Sequence, residues 1–316
     1  MSRPVCSIII PTRDCLNYLP TTLASIDLQC RTDLEVVVVD DGSSDGTADW
    51  LRGRPDTGFS LKILETGGIG PGPARNAGLK VAGAEFVAFL DADDQWWAGK
   101  LGRQLAYHAE NPTTGFSFTD YIHVTPEGRT LGTCYEYWQC GWTDGPEGRY
   151  FLLDDAEAKL LGSNVVGTST VVANRELCLE AGGFSTTLAC AEDWDLWLRL
   201  AGKWPVACST ALTMTYLKRP GSVTANRLRR VDSMRSIVAR YRGRSEAVFR
   251  QAVRHAEAHC DVADAEIARE AGDRVGAVAA HLRAIVAHPD WRTGRALAAD
   301  VMAAISPPVR PLAATR

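Results

Sequence analysis

Three carboxylates, Asp91, Asp93 and Asp94, fall within four residues of one another, directly after the apolar run Phe86–Leu90. Aspartate is depleted in strands, and like charges this close repel. A bound cation would relieve the repulsion, and hard oxygen ligands beside a diphosphate suit Mg2+ or Mn2+. A plain polar turn is the competing reading, because aspartate is a common turn residue. A second acidic cluster, Asp40-Asp41-Gly42-Ser43-Ser44-Asp45-Gly46-Thr47, follows the valine-rich run 34–39 and offers N-cap residues for a following helix. A third, Glu192, Asp193 and Asp195, crowds the first turn of an amphipathic helix rich in tryptophan. The helix macrodipole alone would favour acids there. One of them held beside an apolar wall could instead act as a general base.

Two basic positions complete the set. Arg75 lies in a stretch, 67–78, of glycines and two prolines. That stretch does not follow the first strand directly, which disfavours a Rossmann nicotinamide site. It reads either as a flexible loop or as one that brings the Arg75 fork to a nucleotide or a carboxylate. Lys218 and Arg219 begin a basic turn that could meet phosphates or lie in solvent.

The elements that must position these residues alternate. Apolar strand-like runs at 5–10, 34–39, 61–64, 85–90, 115–124, 165–172 and 207–217 are separated by helical patterns near 17–28, 72–82, 97–111 and 175–181. Alternation implies a parallel sheet with right-handed crossovers, and ligands bind beyond the carboxyl ends of such strands. Pro11-Thr12, Asp40-Asp41 and Asp91–Asp94 are therefore expected along one rim. The segment 125–150 reads as a loop-rich excursion carrying Tyr135, Tyr137, Trp138 and Trp142. These could stack on a sugar or acceptor ring, or anchor the loop to the core.

From about residue 226 the composition turns to alanine, arginine and glutamate, with helical spacing over 228–242, 245–270, 273–287 and 291–305. His255, His259, His281 and His288 read as ordinary helix residues; the i,i+4 pair His255 and His259 lacks an acidic third ligand in a known metal motif. Pro307, Pro308 and Pro311 suggest a frayed tail. The expected organisation is two regions, 1–225 and 226–316, the first made of halves at about 1–112 and 113–225.

Composition narrows the function. The chain has 316 residues, 46% apolar and 23% charged, with a net charge of -4, which gives no global sign of nucleic-acid binding. No stretch approaches the ~20 apolar residues of a membrane span. The first apolar run is too short for a signal peptide. Nine cysteines without a CxxC pair suit reduced cytosolic thiols better than a disulfide framework or a zinc site.

Together, Ser7–Thr12, Val38–Thr47, Gly72–Leu79, Phe89–Asp94 and Glu192-Asp193 make the chain resemble a family 2 glycosyltransferase over about residues 5–224. The resemblance implies a GT-A fold, a Rossmann-like nucleotide-binding mixed sheet flanked by helices, here with an α-helical C-terminal region. It implies an inverting, non-processive transfer of sugar from a nucleotide diphosphate sugar, with a UDP-sugar foremost, to an acceptor hydroxyl on a glycan, a lipid-linked molecule or a small molecule. Mn2+ or Mg2+ is the implied cofactor. Pro11, Thr12 and Asp41 would cradle the base and ribose, with Asp40 beside them and Arg75 buttressing the pocket. Asp93 would be the metal ligand, with Asp91 nearer the ribose. Asp193 would be the catalytic base. Arg219 and Ser222 resemble a phosphate-contacting loop, although Pro220 stands where the family often has histidine. The Gln-x-x-Arg-Trp signature of processive synthases is absent. Two other classes compete: a catalytically silent nucleotide-sugar scaffold, and a sugar nucleotidyltransferase. The second would need a basic glycine-rich loop after the first strand, which Pro11-Thr-Arg-Asp-Cys15 does not supply. The expected location is cytoplasmic, with a peripheral place at the membrane if the acceptor is a lipid, and the helical region is a candidate surface for self-association.

Overall fold

The computed structural model describes residues 3–54, 58–141, 148–219 and 227–305. Trp142, Pro220, Ser222, Pro307, Pro308 and Pro311 lie outside the described residues. The chain divides into two compact units, Met1–Ser222 and Val223–Arg316.

The first unit is built on one sheet. Its strands are β1 (Cys6–Thr12), β2 (Leu34–Asp40), β3 (Ser60–Glu65), β4 (Phe86–Phe89), β5 (Gln95–Trp96), β6 (Phe116–Val124), β7 (Thr130–Thr133), β8 (Phe151–Leu152), β9 (Val172–Asn174) and β10 (Val206–Leu217). Its helices are α1 (Leu19–Asp27), α2 (Thr47–Arg52), α3 (Pro71–Val81), α4 (Lys100–Glu110), α5 (Cys134–Trp138), α6 (Ala156–Gly162), α7 (Arg175–Glu180) and α8 (Glu192–Ala201). Every residue of β1 and β2 is buried, as near-continuous apolar runs in a sheet covered on both faces should be.

The strand order is β3-β2-β1-β4-β9-β6-β10-β5. Strands β1 to β4 are parallel, as their alternation with helices requires. The second half departs from that expectation. Strand β9 runs antiparallel to both β4 and β6, while β10 is parallel to β6 and antiparallel to β5. The sheet is therefore mixed. From β1 the chain builds outward to β2 and β3, then returns to place β4 on the other side. That reversal opens a crevice at the carboxyl ends of β1 and β4.

The expected strand at 165–172 is not formed as such. Residues Thr168–Thr170 make a 3-10 turn, and only Val172–Asn174 pair in the sheet. The turn spends its hydroxyls and carbonyls on partners elsewhere in the unit: Gln104 Nε2 donates to Thr170 O (3.0 Å) and Trp96 Nε1 donates to Ser169 O (2.6 Å). The Thr170 hydroxyl donates to Gly167 O at 2.7 Å, and local hydroxyl bonding of this kind competes with a strand ladder. Helix α8 is anchored from below by two fully buried tryptophans. Trp194 Nε1 donates to Leu160 O at 2.8 Å, and Trp197 packs against Phe89, Phe116 and Phe184 with centroids 5.4–5.8 Å away.

The second unit consists of α9 (Arg227–Ala239), α10 (Ala247–Glu270), α11 (Arg274–Ala287) and α12 (Trp291–Ile305). Buried alanines, among them Ala256, Ala277, Ala280 and Ala284, let the helices approach closely. Buried His281 meets Asp300 at 2.7 Å, which also accepts from Arg269. The Nε2 atoms of His255 and His259 lie 3.0 Å apart, and the His288 ring stacks on that of His255.

Lys100, the first residue of α4, is fully buried. Its ammonium donates to Gln104 Oε1 at 2.7 Å and lies 4.2 Å from the Trp96 ring centre. Burial pushes it down to about 7 from an ordinary 10.5. The unfolded chain thus binds the extra proton between about pH 7 and 10.5. Stability should rise with pH across that window, by at most about 1.4 kcal/mol per unit. In Lys100→Met this rise should flatten, as read by urea unfolding at several pH values; an unchanged slope would show that Lys100 does not cause it.

Candidate active site

The rim residues converge because the strands that end in them are neighbours. Thr12 pairs in register with Asp40, Asp41 N donates to Thr12 O at 2.8 Å, and Leu90 N donates to Ile9 O at 3.1 Å. Pro11 and Thr12 are buried at the end of β1. The Thr12 hydroxyl is sealed from solvent and has no hydrogen-bond partner among the described residues. An unpaired buried hydroxyl costs free energy unless a ligand satisfies it. Asp40, also buried, accepts from Ser43 N at 2.9 Å.

Asp41 is occupied differently. Its carboxylate accepts from the Thr66 hydroxyl (2.6 Å) and from the amides of Gly68 (2.9 Å), Ile69 (2.7 Å) and Gly70 (2.7 Å). Burial would raise this carboxyl, but the four donors outweigh it and hold it below the ordinary range. Asp41 therefore fixes the glycine-rich loop that leads into α3.

Arg75, on α3, joins two of the acidic clusters. Its Nη2 donates to Asp91 Oδ1 at 2.5 Å and its Nη1 to Glu192 Oε1 at 2.9 Å. The guanidinium is buried and lies 5.4 Å from the Phe184 ring centre. Burial disfavours its charge, but Asp91, Glu192 and Asp193 reverse that and keep it cationic. The close approach of α3 to α8 requires a glycine: a Cβ at Gly72 would stand 2.8 Å from Glu192 Cγ. Burial and the charge of Asp193 push Glu192 up, with Arg75 opposing.

Asp93 pairs with Arg219 Nε at 2.7 Å. Strand β10 delivers Arg219 to this point, where it also donates to Cys15 Sγ (3.3 Å) and lies over the Tyr18 ring. Burial and the neighbouring Asp91 push Asp93 up, against Arg219. Asp94 turns inward, accepting from the Ser169 hydroxyl (2.6 Å) and Leu217 N (3.3 Å). Burial, Asp93 and Asp91 push it strongly toward its neutral form. Asp193, at the start of α8, accepts from the Thr168 hydroxyl and from Trp194 N, both at 2.7 Å.

Among the described residues, no group of three or more His, Cys, Asp or Glu side chains is placed to enclose a metal ion. Mg2+ and Mn2+ beside a diphosphate need only one or two carboxylates, the rest of the shell being phosphate oxygen and water. Asp91 and Asp93 offer such hard oxygen donors two residues apart in one turn, so their chemistry fits one.

The aromatic segment divides. Tyr135 is buried and packs on Phe118, so it anchors the excursion, whereas Tyr137 is exposed and meets Trp138 edge to face. Reading the sequence missed Thr168 and Ser169. The signal available was a run of three hydroxyl residues after Gly167, interrupting an otherwise apolar segment.

The mixed sheet and its rim define a GT-A glycosyltransferase fold. TarS residues 1–349 of Staphylococcus aureus, solved with UDP-GlcNAc, share it at a TM-score of 0.63 and 22% identity, over 93% of this chain and 84% of that one. So does a Pyrobaculum calidifontis mannosyltransferase solved with GDP-Man and Mn2+, at 0.62 and 24%, over 98% and 82%. The profile of glycosyl transferase family 2 matches residues 7–146. The chain is 33% identical over 176 residues to a Bacillus subtilis (strain 168) protein assigned as a teichuronic acid biosynthesis glycosyltransferase, covering 55% of this chain. It is 27% identical over 259 residues to the Escherichia coli UDP-Glc:alpha-D-GlcNAc-diphosphoundecaprenol beta-1,3-glucosyltransferase WfaP, covering 80% of this chain. The matches span 64% of the length of the Bacillus relative and 95% of that of the E. coli one. Over residues 7–146 the chain is similar to glycosyl transferase family 2.

Removing Arg75 would leave Glu192 and Asp91 buried or half-buried without their counter-charge. Arg75→Met should cost about 3–5 kcal/mol in denaturant unfolding. A loss of under about 1 kcal/mol, the value of a surface pair, would show that the fork is not a structural tie.

Proposed function

We propose that the protein is an inverting glycosyltransferase that moves a sugar from a UDP-sugar to an acceptor hydroxyl and depends on Mn2+ or Mg2+. The observation that carries this is the Arg75 bridge, which brings Asp91, at the donor rim, beside Glu192-Asp193. The named complexes and activities of the relatives support a nucleotide-sugar donor, and two of them name a uridine nucleotide. A lipid-linked acceptor, as in the name of the E. coli relative, fits a chain in which no described helix is long and apolar enough to cross a membrane. A cytoplasmic place at the membrane face follows from that acceptor. Residues 1–225 would carry the transfer, with 226–316 as a helical region for self-association.

In this reading Pro11, Thr12 and Asp40, at the ends of neighbouring strands, bind the base and ribose. Asp41 acts by fixing the loop beside them. Asp93, with Asp91, would hold the cation, which when bound offsets charge on the departing diphosphate. Arg219 supplies a second positive charge within reach of the same phosphates. Asp193 accepts the proton of the acceptor hydroxyl. The hydroxyl oxygen bonds to the anomeric carbon from the face opposite the diphosphate, and the carbon–oxygen bond to the diphosphate breaks with its electron pair going to phosphate. Attack from the opposite face inverts the configuration.

Asp193→Asn should lose about 10²–10⁴-fold in turnover, the usual share of a general base, while still binding nucleotide. Asp93→Ala should weaken nucleotide binding where the metal is present. Calorimetry with UDP and GDP, with and without Mn2+, tests the donor side. Tighter UDP binding in Mn2+, lost in Asp93→Ala, is expected. Preference for GDP would change the donor, and no binding of either would favour a silent scaffold.

A further inference from the structure

Asp193 touches a segment whose sequence suggests a simple strand. The segment is instead the 3-10 turn Thr168–Thr170, and two of its three hydroxyls donate to carboxylates, one on each side. Thr168 Oγ1 donates to Asp193 Oδ2 at 2.7 Å. One residue on, Ser169 Oγ donates to Asp94 Oδ2 at 2.6 Å and accepts from Asp91 N at 3.0 Å. Both residues are buried, Thr168 at 6% and Ser169 at 1% exposure, so these bonds do not exchange freely with water.

The turn itself is held from several directions. Thr170 N and Thr170 Oγ1 both donate to Gly167 O, at 2.8 and 2.7 Å. Trp96 Nε1 and Gln104 Nε2 bind the carbonyls of Ser169 and Thr170. Gly167 lies so close to Tyr121 that a Cβ would stand 2.7 Å from the ring. A hydroxyl on such a support has little freedom, and neither does the carboxylate that it binds. The other oxygen of Asp193 is held by Trp194 N, so both oxygens are oriented and each keeps a lone pair for a proton.

We propose that Thr168 is a positioning residue for Asp193, and that the Thr168–Thr170 turn ties the base rigidly to the donor-side carboxylates through Ser169. The proposal rests on Asp193 being the base. A base must stand within hydrogen-bond reach of the proton it takes, and an ångström of misplacement can cost about 10²-fold. Thr168 therefore fixes the place of the base, and Ser169 fixes its distance from the donor.

The test uses the full chain with UDP-glucose, a GlcNAc-diphospholipid acceptor and Mn2+, together with carboxyl carbon NMR of labelled aspartate. The Asp193 resonance is assigned by its loss in Asp193→Asn. In Thr168→Val the Asp193 resonance should shift or broaden, because the carboxylate loses its fixed donor. Its kcat should fall about 10–10²-fold with the donor KM unchanged. Thr168→Ser should restore both. Ser169→Ala should weaken UDP binding several-fold and leave the Asp193 resonance in place. If Thr168→Val does not fold, Thr168→Cys, of similar volume and only a weak donor, reads the same resonance without needing turnover. An Asp193 resonance that is unchanged in both variants overturns the proposal. Full turnover in Asp193→Asn would instead overturn the reading of Asp193 as base, which the NMR measurement does not depend on.

Discussion

The buried guanidinium of Arg75 stands among Asp91, Glu192 and Asp193, and the architecture of the site follows from the need to keep those carboxylates together. Two carboxylates from distant parts of the chain cannot be brought out of water side by side without a counter-charge. Arginine suits the task because it stays cationic when buried and offers two donor arms in a fixed plane. Here each arm meets a different element: one the end of β4, the other the start of α8. The glycine at position 72 lets α3 come near enough for the fork to reach. The same contact that stabilises the fold therefore sets the distance between the donor rim and the carboxylate proposed as base.

A second cation, Arg219, pairs with Asp93. Its other neighbours, Cys15 and Tyr18, come from the segment after β1. Arg219 thus closes the rim across the sheet from its last long strand to its first. Burial and the neighbouring Asp91 raise the cost of ionising Asp93, and each of the two carboxylates has one arginine, Arg219 for Asp93 and Arg75 for Asp91. Asp94, by contrast, is turned away into the Ser169 hydroxyl and the Leu217 amide. Three adjacent-looking acids therefore have three different roles, set by which way each side chain leaves the turn.

Much of the donor half was legible in the sequence for local reasons. Apolar runs alternating with helical spacing identify parallel strands, and parallel strands share one carboxyl end. Thr12, Asp40 and Asp91 had to meet once that was recognised, and helix and strand limits in this half agree to within a few residues. The motifs of family 2 glycosyltransferases reinforced the same positions. The mixed direction of β9 was not readable from composition or periodicity, because a short strand of Val172–Asn174 has the same pattern in either orientation.

By itself, the sequence determined the parallel first half, the rim on which the acids gather, and the helical character of residues 227–305. These depend on periodicity and on chain direction, which are local properties. Only the tertiary structure decided how the acids are used. The bond from Arg75 to Glu192 spans 117 residues, and that from Ser169 to Asp94 spans 75. Whether Asp41 faces a ligand or braces a loop depends on the amides of residues 68–70, and whether residues 165–171 form a strand depends on Gln104, Trp96 and two distant carboxylates. A hydrogen bond between residues far apart in the chain leaves no periodic trace in it, so these assignments waited for the fold.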